Sequence, residues 1–296
     1  MITPAVFYII SFILVLGVLL DMHLMSSPKT AVLGNKIGAV CVLLAIVLTL
    51  LYNKVTNLVW ITVFLLLGSY VGVIITQKVK MINMPQTVAL LQRGGAGAAL
   101  LIILASVLNG DVVTAFSRFT SVLALVVGGI TISGSLVAGG KLTGTLKQKP
   151  VIYKYHSETF FISAIILALF CIVSIPFDLS LNFLLLVIFL SLFFGYWFTI
   201  RIGSADIPIT ISLLNSFSGV AGGVVGMAIS EPLLVAIGGV IGAAGLMLTQ
   251  IMCRAMNRHL WDILSGKTSA LGKNFTDAGT YPHLHHLGLF NRRASD

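Results

Sequence analysis

Nine apolar stretches of about twenty residues, joined by short loops whose lysines and arginines fall almost entirely on one side, leave this chain one kind of fold. Hydrocarbon offers no water to exposed peptide groups, so stretches of this length are spanning α-helices whose backbone bonds close within the segment. The spacing predicts spans at approximately 4–22, 37–53, 57–77, 84–108, 120–140, 159–176, 180–200, 207–229 and 233–253. Only 9% of the 296 residues are charged, where a soluble domain carries roughly 25%. The expectation is an all-α integral membrane protein: one transmembrane bundle over 1–253 and a tail over 254–296.

The net charge of +9 would suit a nucleic-acid binder, but the placement of the charges excludes that class. Lysines 29, 36, 78, 80, 141, 147, 149 and 154, with Arg201, fall in alternate loops, and six more cations lie in the tail. Lys54 and Arg118 alone fall in the opposite loops, so the count is fifteen against two, with Arg93 inside a span. The positive-inside rule then puts the N-terminus outside and the tail in the cytoplasm, in an inner membrane crossed many times. The basic balance reads as topology and lipid-headgroup contact. The first span lacks a basic leader and a small-residue cleavage site, so it reads as an uncleaved helix. Cys41, Cys171 and Cys253 have no pairing or metal spacing. In the tail, His283, His285 and His286 stand without a further ligand, so no metal site is read there. The last thirty residues are polar and aperiodic, which predicts a mobile end with no Gly-rich βαβ unit for a nucleotide.

Three polar patches interrupt the apolar background, at 84–92, 133–141 and 205–216. Polar groups in hydrocarbon are costly and are therefore the first candidates for function. The fourth span starts near Met84-Pro85 and the eighth near Asp206, a suitable N-cap with Pro208 in the first turn. Gln92 then lies about 12 Å in from Met84, and Asn215 about 13 Å in from Asp206. Ser133 and Thr131 lie about 12 to 15 Å back from Lys141 on the fifth span, which runs the other way. Ser212, Asn215, Ser216, Gly219 and Gly223 share one helical face. Two readings stand: a hydrated mid-membrane site, or side chains that only bond neighbouring helices.

Glycines four apart in the eighth and ninth spans, such as Gly219 and Gly223 or Gly238 and Gly242, predict close backbone approach. The fourth, fifth, eighth and ninth spans therefore form the expected interior, wrapped by the Leu-, Ile-, Val- and Phe-rich others. Arg93, some 13 Å into its span, marks a functional site or else snorkels to the boundary. Arg254 and Arg258 are four apart and are expected on one helical face, as boundary anchors or as a hold for a soluble partner.

Four ordered motifs carry a resemblance. They are Met84-Pro85-x-x-Val88-Ala89-x-Leu91; Gly134-Ser135-x-Val137-Ala138-x-Gly140-Lys141-Leu142; Ala205-Asp206-x-Pro208 with Leu214-Asn215-Ser216-x-Ser218-Gly219; and 251–258, from Ile251 to Arg258. In order, from about residue 1 to about 262, the chain resembles the membrane part of the beta subunit of proton-translocating NAD(P) transhydrogenase.

The resemblance implies a complex that couples hydride transfer between NADPH and NAD to proton movement through the helices. It implies an alpha subunit with an NAD-binding domain, a separate NADP-binding domain, and a dimer of the assembled complex. NADP(H) and NAD(H) would be held by those partner domains. This chain would carry no catalytic residue and be inactive alone. Asn215 would lie in the proton channel, with Gln92, Ser133, Ser212 and Ser216 at matching depth; Asp206, Arg254, Arg258 and Lys141 would form the cytoplasmic coupling face. Many relatives place histidine where Gln92 stands. Glutamine cannot carry a proton as imidazole does, so the carrier would be a partner's histidine or a bound water. The family's NADP-binding domain would follow these helices, so either another chain supplies it or this is a truncated product. The alternatives are a small-solute or ion permease, and a non-catalytic remnant serving as scaffold.

Overall fold

The computed structural model describes residues 3–27, 29–53, 57–80 and 83–265. Those residues form α1 Pro4–Met25, α2 Ala31–Tyr52, α3 Leu58–Lys78, α4 Met84–Leu108, α5 Ala115–Leu142, α6 His156–Val173, α7 Leu181–Ile200, a 3-10 turn Ser204–Asp206, α8 Ile207–Ala228, α9 Pro232–Ala255 and α10 Leu260–Ser265. Among the described residues there is no strand, and α1 to α9 are each long and apolar enough to cross a membrane.

Local chemistry accounts for the ends. Pro85, Pro208 and Pro232 lie in first turns, where a missing N–H leaves nothing unsatisfied. α5 starts five residues before its expected first residue, because Thr114 and Ser117 close a capping box: Ser117 N–H donates to Thr114 Oγ1 at 3.0 Å, and Thr114 N–H to Ser117 Oγ at 3.1 Å. α2 starts at Ala31 and carries Lys36 on its shaft, a position tolerated because the long stem lets the charge reach out along the helix. α8 ends in a left-handed Ser230, φ 59°, with Glu231 N–H closing on Gly226 O at 2.8 Å, so α9 begins at once. Glu231 Oε1 accepts from Asn53 Nδ2 at 2.8 Å and ties this turn to the end of α2.

α5 and α8 are the most buried helices and form the centre. α4 packs on both, α9 lies along α8, α7 lies along α5, the α1–α2 pair leans on α9, and α6 leans on α7. The interior expected from four glycine-rich spans is thus too small. α7 belongs to it, because Gly195 and buried Ser191 present a small face to α5. α3 stays outside: none of its residues is buried, and nothing lies within 4 Å of a Cβ built at Gly68 or Gly72.

Candidate functional site

The polar side chains of the interior sort into three seams. The first joins α4, α5 and α8 at Gln92, which is 4% exposed. Its Nε2 donates to Ile211 O at 3.0 Å, and its Oε1 accepts from Ser135 Oγ at 3.2 Å. Ile211 stands one turn before Asn215 on α8, so Gln92 grips the stretch of backbone that carries the asparagine. Ser133, expected beside Gln92, points elsewhere. Its hydroxyl donates to Gly129 O at 3.1 Å, and Ile130 and Ser133 lie against Gly195 of α7. Two residues apart on a helix means about 200° of rotation, and it is Ser135 that faces α4. Thr131 likewise donates to its own helix, at Val127 O, 2.7 Å.

The second seam is α8 on α9. Ser216 Oγ donates to Gly242 O at 2.6 Å, and Thr249 Oγ1 to Ser212 Oγ at 3.0 Å. Gly219, Gly223 and Gly226 meet Gly242, Gly238 and Val235 backbone to backbone. Ser212, Ser216 and the glycines therefore look into α9, while Asn215 sits on the flank of that stripe. It is half-buried, and its amide has no hydrogen-bond partner among the described residues. On the same flank Gly222 has nothing within 4 Å, and Ser218 faces Gly95 of α4. The amide is thus left available for water or a partner group in a narrow strip between α4 and α9. Thr249 was not singled out by sequence reasoning, although Gly238, Gly242, Gly245 and Thr249 follow one helical face and could have shown it.

The third seam closes the end of the bundle where α5, α7 and α9 finish. Lys141 is fully buried and does not reach the surface. Its Nζ donates to Ile200 O at 2.5 Å and Ile202 O at 2.7 Å, bonding the carbonyls at the negative end of α7. Arg201, between them, lies with its guanidinium 4.4 Å from the Phe160 ring centroid. Burial lowers it to about 10, so it stays charged at neutral pH. His156 and Trp197, also unforeseen, stack at 4.6 Å and exchange hydrogen bonds with each other's backbone carbonyls, at 2.9 and 3.2 Å.

Asp206 is buried at the head of α8, but its carboxylate does not cap the helix as expected. The 3-10 turn before it gives Asp206 a helical backbone, which turns the side chain away from the first-turn N–H groups. Its Oδ1 lies 3.4 Å from Arg258 Nε instead. Nor do Arg254 and Arg258 share a helical face. α9 ends at Ala255, Asn257 is left-handed at φ 50°, and Arg258 N–H returns to Cys253 O at 2.8 Å. This turn swings Arg258 back under α8 and leaves Arg254 exposed. Beyond it α10 buries Ile263, 1% exposed, in the same apolar cluster as Ile207, Ile209, Ile211 and Cys253, so helical structure continues past residue 253 into the stretch expected as tail. Arg258→Gln should cost about 1–3 kcal/mol by leaving a buried carboxylate unpaired. Adding Asp206→Asn should restore most of it; thermal unfolding of the double-mutant cycle measures the coupling.

Among the described residues no group of three or more His, Cys, Asp or Glu could hold a metal. His283, His285 and His286 lie outside the described residues.

Fold and site together define a class: a polytopic helical membrane protein with glycine seams at its centre and buried amides and hydroxyls along them. A sequence model of the NAD(P) transhydrogenase beta subunit family matches residues 5–284, and the chain belongs to that family. Two curated relatives described as NAD(P) transhydrogenase subunit beta, both from Rhodospirillum rubrum and one of them from a designated strain, are each 34% identical to it over 264 residues. The aligned region covers 86% of this chain and 56% of each relative, so the chain spans about half the length of the curated relatives it matches.

Proposed function

We propose that this chain is the proton-translocating membrane component of an NAD(P) transhydrogenase complex, coupling proton movement to hydride transfer between NADPH and NAD. Its family membership supports this over a free-standing permease or a non-catalytic scaffold. In this reading both nucleotides bind outside the helix bundle, NAD(H) on an alpha-type partner and NADP(H) on a separate domain, and the assembled complex is a dimer. The helices supply the proton path, and the chain alone transfers no hydride. The bias of lysines and arginines toward one set of loops supports an inner membrane, with the Lys141 end of the bundle in the cytoplasm. Each charge crossing at 100 mV contributes about 2.3 kcal/mol, enough to bias exchange between two nicotinamides of nearly equal potential.

The observation that carries the proposal is Asn215: a half-buried amide, unpartnered among the described residues, one turn beyond the backbone that Gln92 grips. An amide cannot store a proton, but it can donate and accept hydrogen bonds to a water that passes one. Gln92 has the same limit, and its carbonyl and one N–H are already committed. The titrating group of the path is therefore assigned to a partner helix facing this strip, or to a water held by Asn215. Asp206 and Arg258 lie where the head of α8 meets the chain beyond α9, and we assign coupling to the nucleotide domains to that pair, with Arg254 exposed beside it.

Asn215→Leu in the assembled complex is expected to lower proton-coupled turnover about tenfold or more, the equivalent of roughly 1.4 kcal/mol from one lost hydrogen bond in the path. The thermal midpoint should stay within a few degrees, since no bond to the described protein is broken. Proton pumping in vesicles measures the first quantity, and unmutated pumping would remove Asn215 from the channel.

A further inference from the structure

Arg93 has no role in the proton path just proposed, yet it is a guanidinium on a membrane helix. Its Nε donates to Ala89 O at 3.1 Å, so the side chain runs back along α4 toward Met84. The groove against α5 receives it because residue 139 is glycine: a Cβ there would lie 3.2 Å from Nη2 and 3.8 Å from the Ala89 Cβ. Among the described residues no carboxylate pairs with it, and its two terminal nitrogens make no hydrogen bond.

Depth decides what this group meets. The 25 residues of α4 span about 38 Å, some 8 Å more than the hydrocarbon core, so each end stands about 4 Å clear. Ala89 lies about 8 Å from the start of α4, and the guanidinium reaches outward from Arg93 to that level, near the edge of the core. A charge at that edge with two free donors is suited to a phosphodiester, which a guanidinium grips with parallel N–H···O bonds. One turn deeper on the adjoining faces stand Gly97, with open space beside it, and Leu136, 56% exposed. That is a surface for an acyl chain.

We propose that the groove between α4 and α5 holds one anionic phospholipid, its phosphate on Arg93 over the bare backbone at Gly139. The bound lipid neutralises Arg93 and seals the outer side of the α4–α5 contact that also carries Gln92 and Ser135.

The test is native mass spectrometry of the full chain, with any subunits that copurify, released from nanodiscs of phosphatidylcholine with and without phosphatidylglycerol. The parent should retain one phosphatidylglycerol in preference to phosphatidylcholine. Arg93→Gln should bind it about tenfold more weakly, the loss of one charge-assisted contact. Gly139→Leu, which keeps the charge and fills the notch, should lose it too. Equal retention by Arg93→Gln and the parent overturns the proposal. So does displacement of the lipid by inorganic phosphate, which would mark a site for a free anion. A photo-crosslinker at Leu90 that labels a protein chain instead of lipid also overturns it.

Discussion

Gly219→Leu is expected to abolish recovery of folded protein. A Cβ at residue 219 would lie 2.6 Å from the Gly242 nitrogen, 3.0 Å from its Cα and 2.9 Å from Ile241 Cγ2. Two of those three atoms are backbone in a helix and cannot rotate away, so α9 itself must retreat. Overpacking alone costs about 1–3 kcal/mol. Retreat also breaks the seam's hydrogen bonds, Ser216 to Gly242 O and Thr249 to Ser212, at roughly 0.6 to 1.7 kcal/mol each in a membrane. The sum of about 2–6 kcal/mol reaches the low end of a native protein's whole stability. Gly222→Leu is the matched control, one turn along the same helix, with nothing within 4 Å. It should give normal yield and a monodisperse peak in mild detergent. If both variants purify alike, the seam does not hold the hairpin together.

Lys141→Met is the second large effect, with a different origin. Methionine matches the lysine stem, so little packing is lost. What is lost is an ammonium donating to Ile200 O and Ile202 O. Bonds to a charged donor contribute about 1.5–3 kcal/mol each, and removing the charge also removes its desolvation cost, of several kcal/mol. Those terms oppose each other; Ile200 O keeps the Val151 N–H at 3.3 Å, so it is Ile202 O, left buried without its donor, that decides the sign, at about 1–3 kcal/mol. The variant should therefore unfold at lower temperature, with a net loss of about 1–2 kcal/mol. Because the brace holds the end of α7 to the end of α5, protease sensitivity should rise first in the 143–155 loop between α5 and α6. A methionine variant as stable as the parent would mean that Lys141 is not a brace, and would return it to the coupling surface.

The helices were legible in the sequence because hydropathy and length act one residue at a time. Prolines 85 and 208 marked the starts of α4 and α8, and the glycines spaced by four marked the tightest contact, in the same way. What failed was azimuth. Ser133 and Ser135 lie at nearly the same depth, yet one faces α7 and the other α4, and no periodicity in a uniformly apolar helix says which. α7 looked like a lipid-facing helix because Gly195 and Ser191 are sparse among its leucines and phenylalanines. Arg258 was misplaced for another reason. A spacing of four means one face only while the helix continues, and Asn257 ends it in the left-handed region. Asn215, which the resemblance put in the channel, has no hydrogen-bond partner among the described residues, whereas Ser212 and Ser216 on the same stripe bond to α9.

The head of α8 has a mechanical consequence of its own. The Asp206–Arg258 pair fastens the turn after α9 to the head of α8. A load applied to that turn would be delivered through the pair to α8, the rod that carries Asn215 about 13 Å further in. Cutting the pair should loosen this joint and leave the helices in place.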